Sequence, residues 1–193
     1  MVGRVTNPTL QIIIASTRPG RVGPAVADWF YDRAAKNGSF EVELIDLAKV
    51  NLPMFDEPKH PRFGDYVYQH TRDWSATIGR GDSYVFVLPE YNHGFNAALK
   101  NAIDFLNAEW QYKPVGFVSY GGVSAGTRAV QMLKQVVIGL KMVPMVEAVT
   151  IPFVQQFLDD KRVLEPNEIM DDAAAALLGE LARWTSAMAQ LRR

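Results

Sequence analysis

The sequence predicts an α/β protein, a doubly wound five-stranded parallel sheet with helices on both faces. Three observations predict it. Five short apolar runs (residues 10–15, 40–45, 84–88, 115–119 and 143–149) are rich in β-branched residues and nearly continuous, as strands covered on both faces must be. Between the runs the apolar spacing changes to three and four, the mark of helices packing on a sheet. The two patterns alternate along the chain without a repeat, charge block or linker, so residues 1–193 are expected to form one domain with right-handed crossovers.

The first run is followed by the stripe Val22, Ala25, Val26, Trp29 and Phe30, with Pro24 suited to a first helical turn. After the second comes the longest irregular stretch, residues 47–62 with Pro53, Pro58 and Pro61, long enough to be a functional or interface element. Phe63, Val67, His70, Trp74 and Ile78 form the next stripe, which makes His70 a packing residue. The third run leads to Phe95, Ala98, Leu99, Ala102, Ile103 and Leu106. The fourth leads to Ala129, Met132, Leu133, Val136, Val137 and Leu140. A last stripe from Ile169 to Leu191 follows the fifth run, with Asp171 and Asp172 in an acidic first turn. Phe105, Val130 and Ile138 are apolar outside the third and fourth stripes, which predicts helices that pack on two sides and hence a homodimer or homotetramer.

Composition narrows the function. With 21 acidic and 20 basic side chains the net charge is −1, which lacks the cationic surplus that phosphate backbones require and argues against nucleic acid. The absence of cysteine excludes a disulfide framework, thiolate metal sites and a cysteine nucleophile. No apolar run approaches the roughly 20 residues of a membrane span, and residues 1–8 carry no apolar leader core, so a cytoplasmic address without membrane attachment is expected. His60, His70 and His93 form no i,i+4 pair, and no metal site is expected.

In a doubly wound sheet, ligands bind beyond the carboxyl ends of the strands at the switch in strand order. The turn after the first run, Ala15-Ser16-Thr17-Arg18-Pro19-Gly20-Arg21-Val22-Gly23-Pro24, is neither a G-x-G-x-x-G fingerprint nor a Walker loop. Its hydroxyls, its guanidinium groups and the amides of a helix start would cradle a phosphate. The plain alternative is a helix cap with solvated arginines. After the third run, Pro89-Glu90-Tyr91-Asn92-His93 could face a planar heterocycle or equally form a polar turn in which Asn92 caps the next helix. After the fourth, the glycines of Ser119-Tyr120-Gly121-Gly122-Val123 permit close approach of a ligand. Gly122-Val123-Ser124-Ala125-Gly126 also matches the nucleophile elbow G-x-S-x-G, but that hydrolase order needs a later histidine and none follows His93.

Taken together, the three turns resemble the NADPH-dependent FMN reductase family, the flavodoxin-like group that includes chromate, quinone and azo-dye reductases. The likeness rests on Ser16-Thr17-Arg18 with Arg21, and on Leu88-Pro89-Glu90-Tyr91-Asn92-His93 followed by Leu99-Lys100-Asn101-Ala102-Ile103-Asp104. It continues in Lys113-Pro114-Val115, Ser119-Tyr120-Gly121-Gly122 and Arg128-Ala129, passes through Trp74-Ser75-Ala76, and spans about residues 9 to 150. Ala15, Pro24, Phe95-Asn96 and Ala125 depart from the family's common pattern.

The resemblance implies a flavodoxin-like strand order of 2-1-3-4-5 and one FMN per subunit. Its phosphate would lie on the first loop, at Ser16, Thr17, Arg18, Arg21, Val22 and Gly23, and its ring against Pro89, Glu90, Tyr91, Asn92 and His93 and against Ser119, Tyr120, Gly121, Gly122 and Val123. It also implies NADPH or NADH as donor, a small-molecule acceptor such as a quinone, free flavin, azo compound or chromate, and pairing of subunits through the third and fourth helices. The chemistry then belongs to the flavin N5, with no catalytic side chain, and the Gly121 and Gly122 amides would stabilise charge at the N1–O2 edge. A flavodoxin-like electron carrier without a nicotinamide site is the rival. The near-neutral charge, with Arg18, Arg21 and Arg128 near the turns, favours the enzyme.

Overall fold

The computed structural model describes residues 7–192. Strand β1 (Thr9–Ile14) leads into helix α1 (Gly23–Asn37), which carries Pro24 in its first turn and stops at Gly38 in the left-handed conformation (φ 76°). Then come β2 (Glu41–Asp46), a short helix α2 (Leu47–Val50), α3 (Gln69–Gly79) and β3 (Ser83–Tyr91). A two-residue strand β4 (Gly94–Phe95), α4 (Ala97–Asp104), β5 (Pro114–Tyr120), α5 (Thr127–Gly139), β6 (Val143–Ile151) and α6 (Glu168–Met188) complete the chain. The side chain of Asn167 caps α6 by accepting the Met170 N–H at 2.9 Å.

The parallel strands lie in the order β2-β1-β3-β5-β6. Apart from β4 this is the expected flavodoxin-like 2-1-3-4-5 arrangement. The centre is almost fully buried: every residue of β5 and the first seven of β3 lie inside. One face packs on α1 and α6 around Trp29, Phe30, Val118, Leu177 and Leu181. The other packs on α3, α4 and α5 around Trp74, Phe86, Trp110, Phe117 and Leu133.

Several expectations need correction. β3 continues past residue 88 and doubles back through β4, so Phe95 lies in a strand rather than in a helix. Phe63 stands in a single 3-10 turn and is exposed, as is Val67, because α3 begins only at Gln69. Met132 is half-exposed. Phe105 is fully buried, edge-on to Phe55 at 5.2 Å and to His70 at 5.6 Å, and Val130 is buried too. Of the three residues expected to mark a second packing face, only Ile138 is exposed.

The long proline loop is tied down along its length. The Asn101 side chain accepts the Phe55 N–H at 2.8 Å and donates to the Pro53 carbonyl at 2.7 Å. Glu57 accepts the N–H groups of Val67 and Tyr68, at 2.9 and 3.1 Å. His70 packs as expected and also meets Asp56 at 2.9 Å. Among the described residues no helix is long and apolar enough to cross a membrane, and no side-chain group is arranged to hold a metal ion.

Candidate functional site

The carboxyl ends of β1, β3, β5 and β6 converge on a cleft of about 400 Å³. Its walls come from all three turns singled out by the sequence: Arg18, Arg21 and Val22 after β1, Pro89, Glu90 and Tyr91 at the end of β3, and Tyr120, Gly121 and Gly122 after β5. A fourth wall, Phe153, Val154, Gln155 and Gln156, follows β6 and was not anticipated. The switch-point rule directs attention to the middle of the sheet, and β6 is an edge strand. The aromatic, valine and two glutamines of residues 153–156, just past a strand end, were the only signal.

The loop after β1 is built in two layers. Beneath it Ser16 is fully buried, and the Asn96 side chain donates to the Ala15 carbonyl at 2.7 Å. The Arg21 guanidinium donates to the Ser16 carbonyl at 2.6 Å and grips Asp46 with a second nitrogen at 2.6 Å. Burial would raise the Asp46 carboxyl, but Arg21 and the Ala48 N–H outweigh it and hold the group below the usual carboxylate range. Arg21 is therefore a strut with its charge matched. Arg18 is exposed and has no hydrogen-bond or ion-pair partner among the described residues, which leaves it available to an anion. Thr17 turns away from the cleft and lines a separate cavity of about 310 Å³ with Met54 and Asn101.

Two hydroxyls face each other under this loop. Ser16 Oγ and Tyr120 OH are buried, and neither has a partner at full hydrogen-bond geometry among the described residues. Burial pushes the Tyr120 hydroxyl up to about 12, a rise that the neighbouring Ser16 hydroxyl and the charges of Arg18 and Arg21 only partly offset. Both hydroxyls crowd the α-carbon of Gly23: a Cβ there would collide with Ser16 Oγ and lie 3.0 Å from Tyr120 OH. A buried polar atom left unpaired costs about 1–3 kcal/mol. Ser16 and Gly23 lie beneath the cleft lining, which Tyr120 reaches, so a monophosphate seated between Arg18 and the side-chain-free helix start would have both hydroxyls directly below it to satisfy.

The β3–β4 hairpin turns through Asn92 (φ 50°) and His93 (φ 70°), both left-handed, as a tight two-residue connection of this kind requires. Both residues are exposed and stand outside the cleft lining. Asn92 does not cap α4; the buried Asn96 occupies that position. Glu90 lines the cleft, but its carboxylate is committed elsewhere. It accepts the Arg128 Nε at 2.6 Å and the N–H groups of Arg128 and Ala129 at 3.2 and 3.4 Å, so that a strand residue caps α5. Burial would raise its carboxyl, yet the bonds from Arg128 and Ser124 hold it low.

The same network answers the elbow motif. Ser124 Oγ donates to Glu90 at 2.8 Å and accepts from Arg128 at 2.9 Å, so it is a cap member rather than a nucleophile with a base. Ser119 is buried and donates to the Ala125 carbonyl at 2.8 Å, supporting the turn from below. Val123 is exposed and outside the lining. The Gly121 N–H is taken by the Ile151 carbonyl at 3.3 Å, which leaves Gly122 as the turn's available glycine amide.

The family model described as NADPH-dependent FMN reductase matches residues 8–156. An NAD(P)H-dependent FMN reductase of Schizosaccharomyces pombe is 42% identical over 150 residues, covering 76% of this chain and 74% of that protein. One from Saccharomyces cerevisiae is 36% identical over 143 residues, covering 68% and 74%. Among solved structures, the flavoenzyme NAD(P)H:(acceptor) oxidoreductase of Paracoccus denitrificans has the same fold, with a TM-score of 0.69 at 18% identity and coverage of 95% and 98%.

Proposed function

The chain belongs to the NADPH-dependent FMN reductase family, and from that premise we propose that it binds FMN in the cleft and oxidises NAD(P)H at the expense of a small acceptor, a quinone in the first instance. The observation that carries this reading is the pair of buried, unpartnered hydroxyls of Ser16 and Tyr120 at Gly23, beside the unpaired Arg18. That arrangement suits one terminal phosphate. No second nucleotide fingerprint stands in the sequence, which favours FMN over FAD.

In this reading Ser16 Oγ and Tyr120 OH donate to the phosphate and Arg18 neutralises it. Arg21 keeps the loop in place through Asp46 and the Ser16 carbonyl. Pro89, Tyr91 and Val154 supply apolar wall, and the Gly122 amide is the donor available to charge that develops on a bound ring. Bound FMN supplies the two-electron redox chemistry, and no side chain of this site has to act as acid or base. The overall change balances: NAD(P)H, one proton and a quinone yield NAD(P)⁺ and a hydroquinone. Donor and acceptor share one open cleft, so the kinetics are expected to be ping-pong, with parallel double-reciprocal lines. The reading places the enzyme in the cytoplasm, where reduced nicotinamide is supplied.

The test is direct. The purified protein should carry a yellow cofactor that chromatographs as FMN after heat release, and should oxidise NADPH in the presence of menadione. FAD as the sole tight ligand would overturn the cofactor, and an FMN-loaded protein inert toward both nicotinamides would favour the carrier. A homodimer or homotetramer belongs to the same reading, supported by the exposed Met132 and Ile138 on α5. An active FMN-loaded monomer in light scattering after size exclusion, at micromolar concentration, refutes it.

A further inference from the structure

Among the described residues that line the cleft, only Phe153 has a left-handed backbone, at φ 47° and ψ 46°. A bulky side chain is a true outlier in that region, and glycine or asparagine would hold the turn with less strain. Among the described residues nothing offsets the choice of phenylalanine. The residue is 50% exposed, so it adds little to the core, and it has no aromatic partner among the described residues. Its backbone is nonetheless fixed. The N–H groups of Phe153 and Val154 donate to the Gly122 and Gly121 carbonyls at 3.2 and 3.4 Å, fastening the residue to the turn after β5.

Strain of this kind concentrates where structure serves a ligand. Tyr91, 38% exposed, lines the same cleft from the β3 side, so two half-exposed aromatic rings border one opening. The rest of the lining carries no free charge. With Arg18 on the phosphate and Arg21 matched by Asp46, Gln155 and Gln156 are neutral, and the lining's only carboxylate, Glu90, is engaged by Arg128 and Ser124. A planar ligand that is neutral or anionic meets no opposing charge in this lining, and a cationic one finds no free carboxylate.

We propose that Phe153 is a specificity-determining residue: its ring, presented by a strained backbone, is the platform on which a planar aromatic acceptor of neutral or anionic character stacks at the mouth of the cleft. The proposal rests on the reading of that cleft as the site of an FMN-dependent reductase. An aromatic platform favours flat acceptors over compact or non-aromatic ones, because face contact is lost when either partner is not a ring.

Phe153→Gly and Phe153→Tyr test it together. For Phe153→Gly the ratio of kcat/KM for menadione to that for ferricyanide should fall about tenfold, the scale of one lost aromatic contact. The dissociation constant of anthraquinone-2-sulfonate, measured without nicotinamide, should rise by a similar factor. The melting temperature should rise by about 2–4 °C, because glycine relieves the left-handed strain. Phe153→Tyr should restore the ratio and the binding. An unchanged ratio and dissociation constant in Phe153→Gly overturn the proposal, as does a lowered melting temperature with equal loss toward both acceptors, since a merely structural residue behaves that way. If the wild-type protein holds no FMN, the underlying reading fails. Anthraquinone-2-sulfonate binding that is lost in the glycine variant and kept in the tyrosine variant would then still uphold the aromatic site.

Discussion

Ser16→Ala is expected to act with opposite signs on the FMN-free and FMN-bound protein. Ser16 is fully buried and its Oγ has no hydrogen-bond partner among the described residues. A buried hydroxyl without a partner costs about 1–3 kcal/mol, so its deletion should leave the FMN-free protein at least as stable as the wild type. A gain of about 1 kcal/mol would raise the melting temperature by about 2–4 °C in a chain of this size. With FMN present the sign reverses. A hydrogen bond to a charged group contributes about 1.5–3 kcal/mol, which weakens FMN binding roughly ten- to a hundredfold when it is removed.

Mass action converts that loss into a measurable shift. At an FMN concentration of about 100 times the wild-type Kd, binding stabilises the wild type by about 2.7 kcal/mol. A variant with a hundredfold weaker Kd gains only about 0.4 kcal/mol at the same concentration. The FMN-induced rise in melting temperature should therefore shrink from roughly 5–11 °C to about 1–2 °C. Thermal melts with and without FMN, alongside a fluorescence-quenching titration, measure both quantities. A variant that keeps the wild-type rise would refute the phosphate assignment. An FMN-free variant destabilised by more than about 1 kcal/mol would show that the hydroxyl already has a structural partner.

Arg18→Ala should also weaken FMN roughly ten- to a hundredfold while leaving the FMN-free melting temperature nearly unchanged, since Arg18 is exposed and unpaired among the described residues; an unchanged Kd removes it from the site. Asp46→Asn should cost about 2–3 kcal/mol at neutral pH, somewhat less than breaking a fully buried pair, because the Arg21 and Asp46 side chains remain 17% and 9% exposed. The carboxyls of Asp46 and Glu90 are held below their ordinary values in the folded state. Their stabilisation is therefore complete above the unfolded carboxylate pKa of about 4 and lost as pH falls through the folded values. Stability should decline on acidification below about pH 5, with a shallower acid limb in Asp46→Asn, and an identical limb contradicts the assignment. Ser124→Ala should retain most reductase activity, whereas loss of all activity together with esterase activity in the wild type would revive the hydrolase.

The strands were legible because a parallel sheet covered on both faces writes its burial directly into the chain, as in the fully buried β5. Helix ends were less so. The apolar spacing of three and four runs past the true start of α3, through Phe63 and Val67, and past that of α4, through Phe95, because periodicity reports faces and not caps. The β3–β4 hairpin was hidden by its turn residues: asparagine followed by histidine, where glycine is the usual second residue. The loop after β1 stood out as a composition of hydroxyls and arginines, but the division of labour inside it was not visible. Arg21 and Arg18 look alike in sequence. Only the parallel pairing of β1 with β2, which brings Ile14 level with Asp46, provides the carboxylate that commits one of them. The Glu90–Arg128 cap is likewise a contact across 38 residues that no local pattern announces.

Those long-range contacts fix the walls of the cleft before any ligand arrives. Ordering a loop or a side chain on binding subtracts from affinity, so a site gains when its walls are fixed beforehand. Here the first loop is held by Arg21 on Asp46 and by Asn96 on Ala15, the β3 wall by Glu90 on the start of α5, and the β6 wall by Phe153 and Val154 on the glycine turn. None of these struts uses Ser16 Oγ, Tyr120 OH or the Arg18 guanidinium. The groups suited to a phosphate are the ones the fold leaves unsatisfied. Of the three, only Arg18 is an exposed side chain that must be ordered on binding. Weakening a strut should therefore lower stability and affinity together, whereas removing Ser16 Oγ should lower affinity alone. That separation distinguishes a preorganised phosphate site from a polar pocket that is merely underpacked.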